Sequence, residues 1–190
     1  MLNHILAIMA TISLLGPIPE QAITSYTMSL TNRQPDRFVN SVFRDNILLT
    51  LKYLGAYKFT LNPGETFAFH EDTFEKYHGK VVKTTNAHFN FQEGFKSDGY
   101  LIGDGVCHLA SLMNLVAKNA GLEVEAPTNH NFAEIPDIPK EYGVSIYSYP
   151  GRVLTNAVQN LYITNNKPYP VEFRFGLEND NLTLAIYKSD

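Results

Sequence analysis

Two stretches of this 190-residue chain space their apolar side chains three and four apart, as a buried helix face requires, and the segments around them do not. The first opens on Asp36 as N-cap, presents Phe38, Val39, Val42, Phe43, Ile47, Leu51 and Leu54, and stops at Gly55. The second runs from Val106 to Ala120, with Val106, Leu109, Ala110, Met113, Val116 and Ala117 on its inner face and Gly121 as its stop. Between them, YKFTL and TFAFH read as strands about a turn at Asn62-Pro63-Gly64-Glu65. Residues 70 to 100 are polar, aromatic and weakly periodic, so they read as loops with short strands. After the second helix, LEVEA, GVSIYSY, NLYIT, PVEFRF and LTLAIY read as strands, punctuated by prolines from 127 to 139 and by turns at 150, 165 and 178 to 180. Helix, mixed middle and strand-rich end predict an α+β fold: an antiparallel sheet packed with a central cysteine-bearing helix and an N-terminal helix.

Residues 1 to 19 carry no charged side chain, and the apolar run Ile5 to Leu15 is the length of a signal-peptide core. It is too short for a spanning helix, which needs roughly 20 residues. Residues 1–20 are therefore expected to be a signal peptide or a short anchor, although a positive residue before the core and a clean cleavage site are missing. The alternative is a first buried helix or strand. Residues 21–35, polar and ending in a proline, read as a linker or weak edge strand, and 36–190 as the domain. The expected location is outside the cell or in its envelope, with membrane contact only through an uncleaved N-terminal segment.

Hydrophobic residues make up 44% of the chain, enough to build a core. The net charge is -4 and no segment gathers lysine and arginine densely, which argues against a nucleic-acid partner. The single cysteine, Cys107, cannot form an internal disulfide and excludes zinc sites that need two thiolates. It stands in Gly103-Asp104-Gly105-Val106-Cys107-His108, at the first turn of the second helix. A helix N-terminus favours thiolate over thiol, and its free amides can hold an oxyanion. Cys107 is thus a candidate nucleophile, the amides of Val106 and Cys107 candidate oxyanion donors, and His130 the candidate base. His108 points about 100° away on a helix and is expected at the rim. Asp137, Glu141 and Asn156 are candidates for the group that orients His130. Gly103, Asp104, Gly105, His108 and Asn129 are candidates for substrate binding.

Blander readings stand beside these. A lone cysteine on an amphipathic helix is commonly a small buried hydrophobe. A zinc site of Cys107, His130 and one of His70, His78 or His88 has no ligand spacing behind it, so no metal or cofactor is expected. The 11 tyrosines and 12 phenylalanines read mainly as core and sheet packing, with a sugar- or peptide-stacking groove as the alternative.

In their order, several blocks resemble the VanW-like domain of bacterial cell-envelope proteins. They are Phe43-Arg44-Asp45-Asn46-Ile47, Leu61 to Phe69 with its Asn-Pro-Gly-Glu turn, the glycine-flanked helix from Gly103 to Ala120, Asn129-His130, and Leu161 to Asn166 with Tyr169-Pro170-Val171. Asp104 stands where that family has a glycine and His108 where it has a glutamine, and the family's aspartate would fall near Tyr142-Gly143, positions that hold no carboxylate, which leaves Glu141 or Asp137 as substitutes. The helix also resembles the nucleophile helix of transglutaminase-like cysteine enzymes, at the level of fold alone. The VanW resemblance implies an association with glycopeptide-resistance clusters and peptidoglycan-modifying enzymes, with a cell-wall peptide or glycan as ligand. On that basis the chain is expected either to perform acyl transfer or amide hydrolysis on peptidoglycan through Cys107 and His130, or to bind wall ligands or a partner without catalysis.

Overall fold

The computed structural model describes residues 21–33, 35–55 and 57–189, so the expected signal peptide or anchor lies outside the described residues. The elements in chain order are β1 (Thr24–Ser29), α1 (Arg37–Tyr53), β2 (Lys58–Leu61), β3 (Thr66–Ala68), β4 (Val81–Lys83), α2 (Val106–Asn119), β5 (Glu123–Glu125), α3 (Val153–Val158), β6 (Tyr162–Thr164), β7 (Val171–Glu178) and β8 (Asn181–Lys188), with short 3-10 turns between some of them. The strands form two four-stranded sheets, β1-β8-β7-β2 and β4-β3-β6-β5. Every pairing is antiparallel except β3 with β4. The fold is α+β, with two sheets where the sequence suggested one. No described helix is long and apolar enough to cross a membrane.

Helix α1 begins where the capping signal placed it: Asp36 accepts a hydrogen bond from the Phe38 amide at 2.7 Å. Val42, Ile47 and Leu51 face inward as the spacing required, but Phe38 lies outside the core. Within residues 21–35, Thr24–Ser29 take the edge-strand alternative. Beneath their Ser/Thr-rich composition, Tyr26 and Met28 alternate with outward Ser25 and Thr27, and β1 zips antiparallel onto β8 with Met28 opposite Leu182.

Helix α2 is buried on nearly all sides, from Val106 and His108 through Ala117, and it packs against α1, β1, β8 and β5. Cys107, half-buried at the start of this helix, packs against the core. GVSIYSY forms no strand, because its amides are spent elsewhere. Ser145 and Tyr147 donate to the carbonyls of Thr128 and Gln159, while Val144 and Ile146 donate to the Ser111 hydroxyl and the Cys107 sulfur. The segment is stitched to α2 by side chains where a ladder would have used a neighbouring strand. Helix α3 was not legible in the sequence. Asn156 organises it by accepting from the Tyr149 amide and donating to the Tyr149 carbonyl and to Asp72.

Asn160 shows how much one buried amide can hold. Its Oδ1 accepts from the amides of Phe69, His70 and Leu161, and its Nδ2 donates to the carbonyls of His70 and Asp72. Truncation removes a partner from each of these groups, at roughly 1–3 kcal/mol for each one left unpaired, although the Phe69 amide keeps the Leu161 carbonyl. Asn160→Ala should therefore lose about 3 kcal/mol in urea unfolding, and a loss below about 1 kcal/mol would show that the network repairs itself.

Candidate functional site

The site starts with a glycine turn. Gly103 and Gly105 adopt φ of 85° and 101°, which L side chains resist. At Gly105 a Cβ would also lie 2.6 Å from the Phe43 carbonyl oxygen, so α1 and the start of α2 meet closely there. Asn46 of α1 secures the meeting by donating to the carbonyls of Lys96 and Asp104 and accepting from the Lys96 amide. The turn leaves Gly105 as an N-cap without a side chain to bond the helix amides.

One of the two expected oxyanion donors is already engaged. The Val106 amide donates to the Gly103 carbonyl at 3.0 Å, and those of His108 and Leu109 donate to Gly105. The Cys107 sulfur accepts from the Ile146 amide at 3.4 Å and can donate to the Ile146 carbonyl at 3.6 Å. Burial pushes the thiol up to about 11 against an ordinary value of 9.0. The Ile146 contact pulls the other way, and the Asp104 carboxylate adds to the rise. In this conformation Cys107 is a protonated thiol that pins the 144–147 segment to α2.

Two histidines share its surroundings, with ring centroids 6.0 Å apart and edge to face. His130 places Nδ1 3.1 Å from the Ala133 carbonyl, and burial lowers its pKa despite that contact. A proton on Nδ1 leaves Nε2 as the acceptor. His108 is held well below its ordinary range, first by burial and then by the charge of Arg33 and by His130. Its Nδ1 is buried with no hydrogen-bond partner. Both imidazoles are therefore neutral at pH 7. Asp104, half-buried, rises to about 6, chiefly through burial and in part through the nearby Asp98 carboxylate, although the Asp98 amide donates to it at 3.0 Å.

Cys107, His108, His130, Asp104, Gly103 and Gly105 all line one cleft of about 690 Å³. It shares Tyr100, Ile102 and Tyr147 with a cavity of about 340 Å³ on one side. On the other it shares His130, Phe132 and Ala133 with a cavity of about 460 Å³. Together they form one groove across the N-terminal end of α2.

The other sequence candidates lie elsewhere. The Asp137 carboxylate accepts from the Ser29 amide and Asn32 Nδ2, and its carbonyl accepts from Tyr26, so it fastens the end of β1. Glu141 is exposed on a 3-10 turn. Asn129 donates to the Lys140 carbonyl at 3.4 Å and keeps a buried, unpartnered Oδ1. Asn156 holds the loop before α3 to that helix. Gly143 packs against the His130 backbone and Cβ, so the group that orients His130 is the Ala133 carbonyl and no carboxylate.

Of the other histidines in the zinc alternative, His78 is exposed and two are engaged separately. His70 is buried against the Gln159 carbonyl, and His88 lies between Glu71 and Glu93. Among the described residues no group of three His, Cys, Asp or Glu side chains is placed to hold a metal ion.

The sequence left an aromatic groove open as an alternative but did not single out the residues that wall this one. Tyr100 is 91% exposed, Phe132 69% and Tyr147 47%. The signal lay in GVSIYSY, where Val144 and Ile146 turn inward and Tyr147 and Tyr149 turn out.

No curated protein and no solved structure matches the chain. A family model described as VanW like protein matches residues 44–187, a span that holds most of α1, all of α2 and all of the groove's lining except Phe43. With three quarters of its length covered in this way, the chain belongs to the VanW-like family.

Proposed function

We propose that this protein is an exported module that binds peptidoglycan in the groove at the start of α2, with Cys107 as part of the frame rather than as nucleophile. Membership in the VanW-like family links it to the cell envelope and to glycopeptide resistance. One observation carries the non-catalytic reading. The Cys107 sulfur is committed to both polar groups of the Ile146 backbone, and an amide expected to stabilise an oxyanion, that of Val106, is already bonded to Gly103. A groove that keeps large aromatic faces in water is built to cover something.

A second reading keeps the chemistry, because Cys107 and His130 line the same cleft. Binding would have to release the sulfur from Ile146. The thiol proton would then pass to His130 as sulfur attacked an amide carbonyl, and the imidazolium would return it to the leaving amine.

Co-sedimentation with purified sacculi and assay of their hydrolysis separate the readings. The expected result is binding by wild type and by Cys107→Ser alike, with no released amine or soluble fragment. Wild-type turnover lost in both Cys107→Ser and His130→Ala would establish the enzyme instead. Absence of sedimentation with sacculi would overturn peptidoglycan binding.

A further inference from the structure

Resting on that reading, the character of the groove narrows the ligand. Among the described residues its central cavity has no lysine or arginine in its wall, and its single carboxylate is Asp104. The adjoining cavity toward Pro150 contributes, among the described residues, His88 as its only titratable group besides tyrosine. The far cavity offers one of each sign, Glu134 and Lys140. A peptide rich in carboxylates would meet no compensating cation in the centre and would face Asp104.

The walls instead pair flat apolar faces with uncharged hydrogen-bonding groups. Tyr100, Phe132 and Tyr147 present rings to solvent, and Tyr147 stacks beside Tyr149 with centroids 6.4 Å apart. The lining includes His108, whose buried Nδ1 has no partner, and His130, whose Nδ1 lies against the Ala133 carbonyl and leaves Nε2 as the acceptor. A buried polar atom without a partner is costly unless a ligand supplies one. Sugar rings carry apolar C–H faces and many hydroxyls, so they suit aromatic walls beside neutral imidazoles.

We propose that the groove binds an uncharged glycan strand, laid along the three joined cavities with sugar rings stacked on Tyr100, Tyr147 and Phe132 and hydroxyl groups bonded to His108 and His130. Length follows from the same geometry, because the cavities continue into one another through shared walls and favour an oligomer over a single sugar.

The test is titration of the full chain, followed by amide NMR, with chitotetraose as the neutral glycan probe and a stem tetrapeptide with free carboxylates as the rival. Chitotetraose should shift resonances around Tyr100, His108 and Tyr147, and it should bind at least about tenfold more tightly than N-acetylglucosamine. Tyr147→Ala and Tyr100→Ala, both at exposed positions, should each weaken it about tenfold with the fold intact by circular dichroism. His108→Phe, which keeps a ring and removes the nitrogen, should weaken it as well.

If the peptide binds in the groove and the oligosaccharide does not, while sacculi still co-sediment, the glycan assignment fails and envelope binding stands. Binding that is unchanged in both tyrosine variants would also overturn the assignment. If neither probe nor sacculi bind, both proposals fall together.

Discussion

Iodoacetamide should alkylate Cys107 about a hundredfold more slowly at pH 8 than an ordinary thiol, with its labelling midpoint near 11. The thiolate is the reactive species, and a thiol at about 11 holds about 0.1% of it at pH 8, against about 9% at the ordinary value of 9.0. A helix N-terminus normally pulls the other way. Here burial by α2's neighbours outweighs it, and Asp104 adds a repulsive charge on the same cleft.

His130→Ala should leave the midpoint unmoved, because the sulfur's hydrogen-bond partner is Ile146. A midpoint at or below about 8.5 that rose in His130→Ala would restore the activated nucleophile. The sign for stability follows from the same shift. Above the ordinary thiol range the unfolded chain gives up its proton while the folded thiol keeps it, so stability falls as pH rises from about 9 toward 11.

Gly105→Ala should cost about 4 kcal/mol, enough to leave little folded protein if the domain has ordinary stability. Two effects combine. A φ of 101° is strained for any residue with a Cβ, and that Cβ would lie 2.6 Å from the Phe43 carbonyl oxygen and 3.0 Å from its Cα. The obstacle is backbone of a helix that Asn46 fixes in place, so it cannot swing aside as a flexible side chain would. Gly99 supplies the control. Its φ of 118° is equally strained, but nothing lies within 4 Å of the place its methyl would take, so Gly99→Ala should cost only about 1 kcal/mol by the same urea melt. Equal losses at the two positions would show that the contact with Phe43 relaxes.

The sequence was most informative where the determining forces are local. The Asp36 cap, the stop at Gly121, the Asn62 to Glu65 turn and most strands follow from side chains acting on their own backbone, and all are present. β1 was half-hidden, because a Ser/Thr-rich edge strand and a polar linker differ only in what lies beside them. GVSIYSY misled for the reverse reason. It alternates as a strand does, yet its amides find Ser111 and Cys107 on a helix.

The site divides in the same way. The glycine turn, the thiol and His130 could be singled out from residue types and spacing, and they do line one cleft. Asp137 could not be judged, since its work at the end of β1 joins residues 108 apart in the chain. By itself the sequence determined that a cysteine opens a helix behind two glycines, because helix ends and positive φ are properties of neighbouring residues. Only the tertiary structure decided what that cysteine is. Burial and a partner 39 residues away set the energy of its charge, and neither is written in the local sequence.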